Sequence, residues 1–304
     1  MKYNNPNDFK RDLDNFVESH AQTPEEQVDL RASIAIERFL SRIDPSEAIV
    51  QGGTAVAKLL PNSPYTTDVD IILKAQIVKE MGLDQMNSQD RANVIRAWLN
   101  DKVAERADDY VNQECVMIAP IMDLNEGFPS TKAFMLDKVG VEKFTKFQVD
   151  VALQKGDIPT CEIQGKDLLS FAEIPNPTIC VMAPEYLVAD KVTLFMSRQG
   201  HEHERPNDLA HAALLIQHCD LDKEKLAQGI AQYAISREVV DKLHDKIPNA
   251  PIEWRNGFEI AMKQAKSDLT LEKSLELISE VVEPVFNRAI ELTLQFNRDK
   301  ESSQ

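Results

Sequence analysis

The sequence has few basic residues for its length. Its 304 residues include 34 Lys or Arg against 50 Asp or Glu, which gives a formal net charge of −16. Proteins that hold nucleic acid by general electrostatic attraction carry a basic excess, because neutralised phosphates supply their affinity. This composition excludes that class unless a local basic cleft overcomes the overall field. We interpret the acidic excess as solvated surface, and a surface that receives a basic partner protein remains the alternative.

Paired cysteines and long apolar runs are also missing. The four cysteines are scattered without a CxxC pair, which predicts free thiols in a reducing compartment. No run reaches the roughly 18 apolar residues of a membrane span. The N-terminal segment lacks the apolar core of a secretory signal. These absences predict a cytoplasmic protein without a membrane-spanning segment.

Apolar spacing predicts an α+β (α/β) fold, with a mixed sheet first and helices after it. Helices are predicted over most of the first forty residues and over 54–60 and 88–108. The predicted strands are 48–51, 69–73, 114–121 and 146–153. The segment 156–183 is rich in proline and polar residues and is predicted to be irregular. Five further helices are predicted, over 184–198, 206–219, 222–246, 254–267 and 271–297. We therefore predict a mixed-sheet domain with N-terminal helices over 1–170 and an all-helical domain over 171–304.

Three aspartates lie on two of the predicted strands. Asp68 and Asp70 alternate with Val69, so both carboxylates point to one face while the valine faces the core. Asp150 lies between apolar neighbours in the same way and shares its face with Gln148. If the two strands are neighbours, three carboxylates converge, and they repel one another unless cations intervene. Hard oxygen ligands of this kind suit Mg²⁺.

A glycine turn precedes the aspartates. Gly52, Gly53 and Thr54 follow a short apolar strand and begin a predicted helix. Glycines let the backbone approach a phosphate closely, and the N–H groups at a helix start favour an anion. The Thr54 hydroxyl is predicted to add one hydrogen bond. A lone DxD or a lone glycine pair is weak, but the order strand, glycine turn, helix, DxD strand and later Asp strand is specific.

With these residues in place, the sequence resembles the AbiEii/AbiGii toxin family of the DNA polymerase β-like nucleotidyltransferase superfamily. The resemblance runs from about residue 35 to 220 and more loosely to the end. The family's glycine–glycine–threonine motif is matched at 52–54, and its metal acids by Asp68, Asp70 and Asp150. Its lysine motif is matched at 184–191, and its arginine–aspartate motif at 205–209.

The resemblance implies a metal-dependent transfer of a nucleoside monophosphate from an NTP to an acceptor hydroxyl, with Mg²⁺ or Mn²⁺ as cofactor. The implied catalytic residues are Asp68, Asp70, Asp150, Lys191 and Asp208, with the first three binding the metal. The implied nucleotide-binding residues are Gly52, Gly53, Thr54, Lys191 and Arg205. It further implies the toxin of a type IV-like toxin–antitoxin or phage-defence system, with an antitoxin protein as partner and the tRNA 3′ end as leading acceptor.

Some positions have a second interpretation or depart from the family. Asp208 lies at a predicted helix start, where an N-cap role is equally expected and compatible with function. Family members often carry an arginine where this chain has Tyr65 and a second aspartate where it has His211, which bears on the choice of base and acceptor.

Two other functions remain open. One is a transferase acting on a small hydroxylated molecule such as an aminoglycoside, since an acidic chain suits a cationic substrate. The other is a non-catalytic module that senses an NTP or binds a partner. The presence of three carboxylates together with Lys191 argues against a decayed site.

Overall fold

A computed structural model describes residues 2–60, 66–104, 110–120, 130–154, 156–197, 206–244 and 246–302. The described residues divide into two compact units. The first runs to Met182, and the second begins at Ala183 and also takes in Leu59 and Leu60. Among the described helices, none has both the length and the apolar character needed to cross a membrane.

The first unit contains one mixed sheet. Its strands are β1 (Ala48–Gln51), β2 (Asp68–Leu73), β3 (Val111–Pro120), β4 (Ser130–Val139), β5 (Glu142–Leu153), β6 (Thr160–Gln164) and β7 (Thr178–Met182). They lie in the order β3-β4-β5-β2-β1-β7-β6. The pairs β2–β5 and β1–β7 are parallel, and the remaining pairs are antiparallel. A mixed α/β fold is thereby confirmed.

Two parts of the strand prediction were wrong. The segment 156–183, predicted to be irregular, supplies the paired strands β6 and β7. β4 was not predicted at all. Because β7 belongs to the sheet, the sheet extends beyond residue 170, the predicted end of the first domain. The division into domains itself stays a prediction.

The described α-helices before β7 are α1 (Pro6–His20), α2 (Pro24–Leu40), α3 (Gly52–Leu59), α4 (Ala75–Glu80) and α5 (Ser88–Ala104). The start of α2 is a capping box, in which Thr23 and Glu26 satisfy each other's backbone N–H groups. α2 packs on one face of the sheet, where the rings of Phe39 and Phe147 meet edge to face at 5.8 Å. A buried cluster including Phe9 and Leu13 attaches α1 to the same side.

The second unit is helical in its described residues. Its helices are α6 (Pro184–Ser197), α7 (Pro206–His218), α8 (Lys223–Ser236), α9 (Trp254–Gln264), α10 (Leu271–Val282) and α11 (Phe286–Ser302). The helix predicted over 222–246 ends at Ser236, and the one predicted over 271–297 is interrupted by a 3₁₀ turn at Glu283–Val285. Pro284 accounts for the interruption, because it has no N–H to donate within a helix.

Candidate active site

The three aspartates lie on neighbouring strands of the first unit. β2 and β5 pair in parallel, and the register places Asp70 beside Asp150 and Asp68 beside Gln148. Residues paired in this way point to the same face of a sheet. The opposite face is apolar, since Val69 and Val149 are fully buried. The condition that the two strands are neighbours is therefore met, and the carboxylates share one face.

Asp150 lies in a mixed electrostatic environment. Burial raises the pKa of its carboxyl, and the charge of Asp68 raises it further, while Lys132 and a hydrogen bond from Gln148 oppose the rise in pKa. Gln148 Nε2 donates to Asp150 Oδ1 at 2.9 Å, and Lys132 Nζ lies 3.9 Å from Asp150 Oδ2. Lys132 comes from β4, opposite Asp150 in the register. Lys132 was not predicted as a site residue because β4 was not predicted.

The donor set fits a hard divalent cation, since the three side chains offer only carboxylate oxygens. Their backbone positions are adjacent, but in the described part of the chain no three acidic, histidine or cysteine side chains form a ready ligand group. The metal-binding role of Asp68, Asp70 and Asp150 stays a prediction.

The absence of a side chain at Gly52 leaves room for the carboxylate of Asp70. Its φ is +63°, in the left-handed region that favours glycine. A Cβ at this position would lie 2.1 Å from Asp70 Oδ2 and 2.9 Å from Asp70 Cγ. The glycine turn therefore provides the space that the Asp70 side chain occupies, in addition to the phosphate approach expected from the sequence.

Thr54 connects the turn to the DxD strand. It is buried, and its hydroxyl donates to the backbone carbonyl of Asp68 at 2.7 Å. This bond fixes the start of β2 against α3. Because the hydroxyl proton is used inside the unit, the phosphate contact proposed for Thr54 is better assigned to its backbone N–H.

A buried ion pair anchors the other end of α3. Lys58 donates to Glu37 of α2, and both side chains are almost completely inaccessible to solvent. Lys166 adjoins the pair, and burial followed by the charge of Lys58 lowers the pKa of Lys166 to about 8, against the opposing charge of Glu37. Removing one member of a buried pair leaves the other charge uncompensated, so this group fixes the helix that begins at the glycine turn.

Lys191 is held by acidic groups of the second unit. Its Nζ lies 2.8 Å from Asp208 Oδ1 and 3.7 Å from Asp190 Oδ2, and its side chain is only 8% exposed. Arg237 contacts the same Asp190. Burial raises the pKa of Asp190, but Arg237 and Lys191 together reverse that effect and leave the pKa below its ordinary value. The lysine is thus a fixed, buried cation instead of a solvated one.

The N-cap role considered for Asp208 is not what the structure shows. α7 begins at Pro206, so Asp208 lies inside its first turn, where it pairs with Lys191. A carboxylate there is also favoured by the positive end of the helix dipole. Arg205, the other residue of this motif, lies outside the described residues, as does Tyr65.

His211 follows Asp208 by one helical turn. Its Nδ1 atom is buried, although the residue keeps some exposed surface. Burial, and then the charge of Lys191, lower the pKa of His211 to about 4, with Asp208 opposing the shift. The position where the family often has a second aspartate therefore carries a neutral ring above about pH 5, which leaves Asp208 and Asp190 as the carboxylates beside Lys191.

This shift predicts acid sensitivity. Between about pH 6.5 and 4 the unfolded chain binds a proton at His211 that the folded chain does not, so the free energy of unfolding falls as the pH is lowered. Between pH 7 and pH 5 the free energy of unfolding should therefore fall by on the order of 2 kcal/mol less in His211→Gln than in the wild type. Urea unfolding at the two pH values measures this difference. His218→Gln, at an exposed histidine of the same helix, is the control. Equal pH dependence in His211→Gln and wild type would contradict the assignment.

The comparison with protein families decides the classification. Residues 37–297 match the family model described as nucleotidyl transferase AbiEii toxin of a type IV toxin–antitoxin system. The chain belongs to this AbiEii family. It is accordingly a nucleotidyltransferase, and the family resemblance drawn from the sequence is confirmed. The AbiEii match spans all the candidate residues from Gly52 to Asp208.

Other comparisons add little to the AbiEii assignment. No curated protein matches the chain. Among solved structures, MenT4, a nucleotidyltransferase toxin from Mycobacterium tuberculosis, is similar with 14% sequence identity and a TM-score of 0.47. That likeness covers 91% of this chain and 97% of MenT4.

Proposed function

We propose that this AbiEii protein transfers a nucleoside monophosphate from an NTP to the 3′ end of tRNA, and that the transfer depends on a divalent cation. The observation that carries the proposal is the register of β2 and β5, which puts Asp70 beside Asp150 next to the Gly52 turn. A carboxylate group of this kind beside a glycine turn suits a triphosphate and its cation. The tRNA acceptor comes from the family resemblance.

The proposed reaction is an in-line displacement. The acceptor hydroxyl oxygen attacks the α-phosphorus, the bond from that phosphorus to the oxygen bridging to the β-phosphate breaks, and pyrophosphate leaves. Asp68, Asp70 and Asp150 would hold Mg²⁺, which supplies neutralisation of the triphosphate and acidification of the attacking hydroxyl. Asp150 orients the acceptor hydroxyl and takes up its proton or passes it to water. Backbone N–H groups at Gly53 and Thr54 bind phosphate oxygens.

The residues of the lysine motif and of the arginine–aspartate motif are proposed to bind the nucleotide. Lys191 neutralises phosphate charge as a point cation, and Asp208 keeps its ammonium group in place. Such catalysis rests on positioning and electrostatic stabilisation. A buried, fixed charge such as that of Lys191 suits this role because it need not reorient during the reaction. Arg205 is proposed as a further nucleotide contact. A cognate antitoxin protein is the proposed partner, and the cytoplasm the proposed location.

A labelling screen tests the acceptor and the metal together. Each of the four NTPs, labelled at the α-phosphate, is incubated with total tRNA and Mg²⁺ or Mn²⁺. We expect label to enter tRNA with at least one NTP. A reaction started in EDTA should give no labelled tRNA, and adding excess metal to it should restore the labelling. Periodate-oxidised tRNA, which lacks the terminal 2′,3′-diol, is the control and should remain unlabelled.

Other outcomes separate the competing functions. Label on an aminoglycoside but not on tRNA would replace the proposed acceptor with a small hydroxylated molecule. Binding of an NTP by calorimetry without turnover on any acceptor would indicate a sensing module. Labelling that persists in EDTA would reject the divalent cation.

A further inference from the structure

The sheet face that carries the aspartates continues onto β4. In the antiparallel register of β4 and β5, Lys132 lies opposite Asp150, Phe134 opposite Gln148, and Leu136 opposite Lys146. Paired residues point to the same face of a sheet, so these side chains extend the aspartate face outward from β5. The alternate residues of β4, such as Ala133 and Met135, are buried on the face that α2 covers.

The same face also continues onto β3 and is partly apolar. Met117 pairs with Phe134 and is 53% exposed. Phe134 and Leu136 are themselves only partly buried. These three apolar side chains lie on one face and keep part of their surface accessible, which makes them a candidate binding surface. We name Met117, Phe134 and Leu136, with Lys132 and Lys146, the β4 platform.

The β4 platform carries two lysines next to the aspartate face. Lys146 is exposed, and the Lys132 side chain is 37% exposed. Lys132 also lies 3.9 Å from Asp150, and the exposed Glu114 of β3 lies opposite Leu136, so the two lysines are individual cations for phosphates beside carboxylates. They flank an aromatic ring, an arrangement suited to single-stranded nucleic acid, whose phosphates contact cations while its bases stack.

We propose that the β4 platform binds the unpaired 3′ nucleotides of the acceptor RNA. A base stacks on Phe134 beside Met117 and Leu136, phosphates contact Lys132 and Lys146, and the terminal hydroxyl is directed toward Asp150. The inference rests on the proposed function, because it assumes an RNA acceptor. RNA is favoured over a protein occupant because the platform is continuous with the aspartate face, where the acceptor hydroxyl must arrive.

Binding in the absence of NTP tests the platform separately from catalysis. The probe is a 5′-fluorescent RNA hairpin with four unpaired 3′ nucleotides, followed by anisotropy. We expect Phe134→Ser to raise Kd about tenfold or more and Phe134→Tyr to stay near wild type, since stacking needs an aromatic ring. Val141→Ser, at a residue 94% exposed in the turn after β4, is the control for loss of apolar surface.

The lysines are tested by salt dependence. Lys146→Gln should raise Kd and reduce the slope of log Kd against log salt by about 1, the effect of one lost phosphate contact. Lys79→Gln, at an exposed lysine of α4, should leave both quantities unchanged. Because Lys146 is exposed, its variant remains informative even if Phe134→Ser fails to fold.

Two results would overturn the platform, and a third would reject the proposed function. Wild-type binding by both Lys146→Gln and Phe134→Ser would reject it, while the proposed function would stand if Asp70→Asn still abolishes transfer. Conversely, full transfer by Asp70→Asn would reject the proposed function without reference to these variants. Platform variants that keep RNA binding but escape inhibition by a cognate antitoxin would identify a protein interface instead.

Discussion

Asp70→Asn is expected to lose nucleotidyl transfer by at least about a thousandfold, because it removes one charge from a group whose role is electrostatic. The substitution preserves the shape of the side chain against Gly52 while removing its anionic charge. If Asp70 acts on the triphosphate cation, kcat falls, and raising the Mg²⁺ or Mn²⁺ concentration restores little. Initial rates of label incorporation, measured over a range of metal concentrations, provide the test.

Folding and toxicity separate a catalytic loss from a structural one. The charge of Asp68 raises the pKa of Asp150, so like charges repel on this face, and Asp70→Asn lowers their number by one in the metal-free protein. The variant should therefore melt in EDTA at the wild-type temperature or above it, and it should no longer inhibit growth when expressed. Asp101→Asn, at an exposed aspartate of α5, is the control and should keep full activity. A variant at position 70 that transfers nucleotides at the wild-type rate would reject the site.

The aspartate face could be predicted because each of its strands shows a clean pattern. In β2 and β5 the residues on one face are apolar and the aspartates lie on the other, so period-two alternation placed the carboxylates correctly. Their adjacency was conditional on strand pairing, which is a long-range property that no local pattern specifies. The order of strand, glycine turn, helix, DxD strand and later Asp strand came from the residues themselves, and the register of β2 with β5 agrees with it.

β4 could not be predicted because both of its faces mix polar and apolar residues. Its buried face includes Asp137, which is completely inaccessible, while its exposed face includes Phe134 and Leu136. Gln113 of β3 donates to Asp137 Oδ2 at 2.9 Å, which satisfies part of the buried carboxylate. Contacts with other strands therefore override the simple alternation in β4. Because β4 was not predicted, Lys132 beside Asp150 was not predicted either.

The predictions for β7 and for Asp208 differ from the structure for separate reasons. β7 is short, buried along most of its length, and preceded by prolines, so it offers neither alternation nor a clear boundary. Asp208 was considered as an N-cap because helix starts are predicted only to within a few residues. Its pairing with Lys191 follows from α6 and α7 being neighbours, which the sequence does not specify.

The close contact between Gly52 and Asp70 also could not be predicted from the sequence. It leads to a prediction about Gly52→Ala. Gly52→Ala is expected to reduce nucleotidyl transfer by about a hundredfold, since the new Cβ displaces the Asp70 carboxylate and misplacement by about 1 Å has an effect of that size. The displacement is unavoidable, because the Cβ would lie 2.1 Å from Asp70 Oδ2. Steady-state kinetics should show the loss mainly in kcat.

A second glycine separates this displacement from backbone strain. Gly82 has φ +66°, almost the same as Gly52, but a Cβ there would meet only the Met86 side chain, at 3.9 Å. Gly52→Ala and Gly82→Ala should therefore share the cost of about 1–2 kcal/mol for an alanine in the left-handed region. Only the first should lose activity. If both variants lose activity equally, strain and not the position of Asp70 explains the effect; if neither does, the carboxylate at Gly52 is not part of the reacting group.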